Sequence, residues 1–100
     1  MDINKIATRI ADTTGKSMPA AHRMASQLVN APSELQSLIV AWCDGNELPF
    51  EYNGITLELI MSKEGGSYIG ALFSMWSLME HPEFVSNYRD MDVPYDVLGG

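Results

Sequence analysis

The sequence predicts an all-α fold: a small orthogonal bundle of four or five helices. Three observations lead there. Apolar residues recur at spacings of three and four in most of the chain. The periodic stretches are bounded by Asp, Ser or Thr before them and by Gly or Pro after them, the usual helix start and stop signals. Strict alternation appears only at 48–60, with no third strand to complete a sheet. The alternative is therefore the same helical domain with one β-hairpin or extended segment at 48–60.

The densest apolar stretch is 67–79, SYIGALFSMWSLM. Ser67 can cap a helix, and Tyr68, Leu72, Met75, Trp76 and Met79 fall in one stripe. Ile69, Ala71, Phe73 and Leu78 carry apolar surface round much of the remaining circumference. A helix apolar on nearly all sides is buried on nearly all sides, so this one is expected at the centre, with the other elements round it. Gly70 lies inside it. An interior Gly costs about 1 kcal/mol against Ala, and close approach of another backbone would account for it.

Taken in order, residues 3–11 form a first helix, with Asp2 as cap and Ile3, Ile6, Ala7 and Ile10 on one face. Thr13, Thr14 and Gly15 end it. Ser17 caps the second helix, and Pro19 is tolerated in its first turn. Its stripe is Ala21, Met24, Ala25, Leu28 and Val29, and the two alanines let a neighbouring helix approach closely. Ser33 opens the third helix, and Gln36, three residues on, completes a capping box. Leu35, Leu38, Ile39 and Trp42 line its face, and Asp44-Gly45 ends it.

The segment from 46 to 61 carries two readings. Leu48, Phe50 and Tyr52, then Ile55, Leu57 and Leu59, alternate with other residues on either side of Asn53-Gly54, a strong hairpin signal. Alternatively, Thr56 caps a helix running to about Lys63, with Ile55 and Ile60 placed as a hydrophobic staple. The helix is preferred, because a lone two-stranded hairpin is only marginally stable. Glu64-Gly65-Gly66 makes a corner into the apolar helix. His81-Pro82 ends that helix, and Pro82 can open a short terminal one anchored by Phe84 and Tyr88, with Val85 beside them. The expected core is Ile6, Ile10, Met24, Leu28, Leu38, Ile39, Trp42, Leu57, Met61, Leu72, Met75, Trp76 and Met79. Residues 1–89 read as one helical domain and 90–100 as a loosely ordered acidic tail.

Composition narrows the function classes. The chain has 100 residues, 46% of them hydrophobic, which suits a folded domain rather than a disordered one. Thirteen acidic side chains face six basic ones, for a formal net charge of −7. That argues against a backbone-clamping nucleic-acid binder and against adsorption on anionic membranes. The single cysteine, Cys43, excludes an intramolecular disulfide and fits a reducing, intracellular setting. No signal-peptide core and no membrane span is evident, so a cytoplasmic location is expected.

No catalytic residue set, metal site or cofactor motif stands out. Cys43 needs a neighbouring base to act as a nucleophile, and His22 and His81 are remote from it in sequence. Asp90, Asp92 and Asp96 lack the glycine and later glutamate of a calcium hand. The helix–Gly-Gly–helix unit at 57–80 has the outline of a helix-turn-helix reader. Its second helix offers Tyr68, Leu72, Phe73 and Trp76 rather than the polar side chains a groove requires.

Charge distribution is the most usable feature. Lys5, Arg9, Lys16 and Arg23 fall in the first quarter, whereas Glu34, Asp44, Glu47, Glu51 and Glu58 follow with no basic residue before Lys63. An acidic face of this kind can steer a basic protein partner, and interleaved aromatic residues can anchor the contact. The candidate protein-binding residues are Glu47, Phe50, Glu51, Tyr52, Glu58 and Tyr95. The expected function is thus a small non-enzymatic accessory or interaction protein with a basic partner. The alternatives are a small enzyme with a Cys43–His site and a self-associating protein whose apolar helix serves a homo-oligomer interface.

Overall fold

A computed structural model describes residues 1–92 of the chain, the last four of them by their backbone alone. The fold is helical with one small hairpin, as the sequence predicts. In order come α1 (Ile3–Thr14), α2 (Met18–Leu28), α3 (Ser33–Cys43), β1 (Glu51–Tyr52), β2 (Ile55–Thr56), α4 (Leu57–Glu64), α5 (Tyr68–Glu80), a 3-10 turn (Pro82–Phe84) and α6 (Val85–Asp92). The chain divides into two compact units, residues 1–48 and residues from Pro49 onward.

In the first unit, α1 packs chiefly on α2 and also touches α3. Asp2 caps α1 by accepting from the backbone N–H of Asn4 (3.0 Å) and Lys5 (3.2 Å). The helix runs past the expected end at residue 11. The Thr13 and Thr14 hydroxyls bond back to the carbonyls of Arg9 (2.8 Å) and Ile10 (2.7 Å), the i−4 pattern that satisfies a threonine hydroxyl inside a helix. Gly15, at φ +75°, then closes it. Ala7, Ala21 and Ala25 are fully buried, so small side chains line both α1 and α2. Ile6, Ile10, Leu28, Leu35, Leu38, Ile39 and Trp42 are buried with them. Full burial of one such side chain contributes roughly 1.5–3 kcal/mol. Met24 is only half-buried.

The capping box expected at Ser33 does not form. Pro32 occupies the cap position and Ser33 is the first helical residue, with no side-chain cap bond. Gln36 Nε2 instead donates to the Val29 carbonyl at 2.9 Å. The backbone supplies the reason: Asn30 and Ala31 form a tight turn off the end of α2, which leaves the Val29 carbonyl facing Gln36.

In the second unit, both readings of residues 46–61 hold, one after the other. Glu51 pairs with Thr56 and Tyr52 with Ile55, antiparallel. Asn53 (φ +50°) and Gly54 (φ +86°) make the turn, with both central residues left-handed as a type I′ hairpin requires. Thr56, the last strand residue, is also the cap of α4, its Oγ1 accepting from Leu59 N–H at 3.0 Å. Ile55 and Ile60 are buried, as a staple demands. The hairpin is confined to 51–56 because the chain turns helical at Leu57.

Helix α5 is capped by Ser67, whose Oγ accepts from Gly70 N–H at 3.3 Å. It packs on α4 and on the 3-10 turn. Its buried face is Tyr68, Ile69, Ala71, Leu72, Met75 and Leu78. Two expectations are corrected here. Trp76 and Met79 are half-buried, like Met61 on α4, so the helix is not covered on all sides. Phe73 and Trp76 stack on each other, centroids 6.4 Å apart, which shields apolar surface within the helix itself. Among the described residues no other backbone comes within 4 Å of a Cβ built on Gly70 either, which would meet only Ser67 Oγ, at 3.5 Å.

Pro82 opens the 3-10 turn, which passes directly into α6. Val85 is the buried anchor of this segment, Tyr88 is half-buried, and Phe84 is 47% exposed rather than packed as expected. Helix α6 carries the backbone to Asp92. Val93, Tyr95, Asp96 and Leu98 lie outside the described residues.

Candidate functional site

In the second unit Glu64, the exposed last residue of α4, accepts side-chain hydrogen bonds from two other helices. A carboxylate at a helix C-terminus faces the negative end of the helix dipole and needs donors. It finds two. Ser74 Oγ on α5 donates to Oε1 at 2.8 Å, and Tyr88 Oη on α6 donates to Oε2 at 2.7 Å. One side chain thus ties three helices together. Burial, the hydrogen bond to Glu64 and the charge of Glu64 push the Tyr88 phenol up to about 12. It stays protonated, and so a donor, throughout the neutral range.

These three residues line a cleft of about 460 Å³, within the roughly 300–1,000 Å³ span of ligand pockets. Lys63 adds an ammonium from α4, and α5 adds Ser77 and Leu78. Phe84 and Asn87 complete the lining from the turn and α6. Ser74, Ser77 and Leu78 share one side of α5 by their spacing, as do Phe84, Asn87 and Tyr88 on the last segment. Ser77, Phe84 and Asn87 are exposed, whereas Leu78 is a buried apolar floor.

The expected binding residues are partly brought together. The Leu57 N–H donates to the Phe50 carbonyl at 3.3 Å, which holds Phe50, Glu51, Tyr52 and Glu58 on one hairpin-and-helix corner. Glu51 and Glu58 are exposed there. Tyr52, opposite buried Ile55, shares the inward face and is half-buried, as is Phe50. Glu47 is exposed and belongs to the first unit. Tyr95 lies outside the described residues. Sequence reasoning missed the cleft, having read Glu64 only as part of a corner. Serines 74 and 77, three apart on an otherwise apolar helix, were the available signal.

In the first unit, Cys43 is half-buried and its thiol is pushed up, chiefly by burial; the Lys5 and Arg9 cations partly oppose this. The groups acting on it are Lys5, Asp44, Arg9 and Asp2, and neither histidine is among them. Lys5 is held instead by Asp44, Nζ to Oδ1 2.8 Å, and that contact raises its pKa. Among the described residues no three His, Cys, Asp or Glu side chains gather as metal ligands. No described helix is long and apolar enough to cross a membrane.

The acidic excess is uneven. Residues 1–48 hold five acidic and four basic side chains, a formal charge of −1. Residues 49–100 hold eight and two, a formal charge of −6. Fold and site together define a class: a small helical protein with one hairpin, whose second unit is strongly acidic and bears a largely apolar cleft edged by polar groups. Comparison with protein-family models, curated proteins and solved structures finds no match.

Proposed function

We propose that the chain is a non-enzymatic accessory protein that binds a basic protein partner through its second unit. The observation that carries this reading is the charge of −6 concentrated in residues 49–100. A strong excess of one sign raises the encounter rate with an oppositely charged partner and suppresses like-charged ones. Exposed Glu51 and Glu58 beside Phe50 and Tyr52 supply acidic and aromatic contact types on one corner.

Affinity capture from the native cell lysate at two salt concentrations, with the captured proteins identified by mass, tests it. The expected result is a basic partner retained at low salt and released at high salt, because exposed charge pairs are screened. An acidic partner, or none, overturns the reading. Recovery of the protein's own chain alone replaces it with self-association.

A further inference from the structure

We infer that the cleft between α4, α5 and α6 is the seat of an arginine side chain of that basic partner. This rests on the reading just given and assigns its anchor point. Three features of the cleft match a guanidinium. Glu64 is fixed in position by Ser74 and Tyr88, so its carboxylate loses little freedom on binding a cation. Exposed Ser77 and Asn87 offer further acceptor oxygens on the facing walls. The Phe84 ring, 47% exposed at the same cleft and in tilted contact with His81 (centroids 5.9 Å), offers its remaining exposed surface to a planar cation.

Arginine suits this set better than lysine, because its planar fork serves several acceptors and a ring at once. Lys63 stands in the same lining and opposes a bound cation. Glu51, Glu58, Glu80 and Glu83, the other described carboxylates of the unit, are exposed and outnumber that single charge. Lys63 therefore gives the test its direction.

The experiment titrates the full chain, labelled for amide NMR, with a blocked peptide alternating Arg and Gly. The control is the same peptide with citrulline for arginine. The arginine peptide is expected to shift amides of residues 63–64, 74–78 and 84–88, and the citrulline peptide to leave them in place. Glu64→Gln is expected to weaken binding about tenfold or more, the loss of a charge-assisted bond. Lys63→Gln is expected to tighten it. Phe84→Ala, at an exposed position, is expected to weaken it while the spectrum stays folded, and serves if Glu64→Gln does not fold. Shifts confined to residues 50–58 overturn the cleft assignment and leave the basic-partner reading standing. No shift at all, or weaker binding by Lys63→Gln, also overturns the assignment. Loss of the captured partner at both salt concentrations is the separate failure of the parent reading.

Discussion

The Arg9 guanidinium lies 5.3 Å from the centroid of the Trp42 ring. It joins α1 to α3 over the largest fully buried side chain of the first unit. The arrangement has a cost, because Arg9 Nε is buried with no hydrogen-bond partner among the described residues. A cation over an indole contributes about 0.5–1 kcal/mol at exposed sites, and an unsatisfied buried donor costs about 1–3 kcal/mol. Arg9→Met keeps the apolar stem and removes both effects. Its stability in a urea melt is expected to match or exceed that of the native chain. Trp42→Ala is expected to lose about 3–5 kcal/mol. A large loss in Arg9→Met would show the cation–ring contact to dominate.

Two hydroxyls at helix starts separate a cap from its appearance. Thr56 Oγ1 accepts from Leu59 N–H, whereas Ser33 makes no cap bond. Thr56→Ala is expected to cost about 1 kcal/mol. Ser33→Ala is expected to stay within about 0.5 kcal/mol of native stability, as surface changes do. Equal losses in the two denaturation curves would contradict the assigned α3 boundary.

Gly70 is helical and has room for a methyl group, with Ser67 Oγ at an ordinary 3.5 Å from the added atom. Gly70→Ala is therefore expected to stabilise the protein by about 0.5–1 kcal/mol. A drop in midpoint temperature would indicate a neighbour that the second unit does not show.

Tyr88 gives a pH dependence with a definite sign. Its phenol is raised from the usual 10 to about 12 in the folded chain, so the folded state holds this proton more tightly than the unfolded state. The stabilisation is complete below pH 10 and is lost as pH rises from about 10 to about 12. Tyr88→Phe is expected to make that part of the stability profile less steep, with a residual slope from Lys5, whose pKa is also raised. A native profile already flat between those values would contradict the phenol's tie to Glu64.

Much of the secondary structure was legible in the sequence because its causes are local. Asp2, Ser17, Thr56 and Ser67 bond to backbone donors two or three residues away, and Gly15 and Gly65 close helices by their own φ angles. Asn53-Gly54 set the hairpin, and Thr56 set the helix after it. The two readings are compatible, since Thr56 ends the first element and caps the second. The cap at Ser33 misled because Gln36 had a nonlocal choice, the Val29 carbonyl, that spacing alone does not display.

Helix identity, most helix ends and the acidic excess follow from the order of the residues alone, because periodicity and capping act between near neighbours and net charge is a matter of composition. Which side of α5 is buried depends on packing, since a helix apolar almost all round leaves that choice to its neighbours. Packing also decides the meeting of Glu64, Ser74 and Tyr88, which lie 10 and 24 positions apart along the chain. No local pattern encodes such a contact; the packing of α4, α5 and α6 creates it.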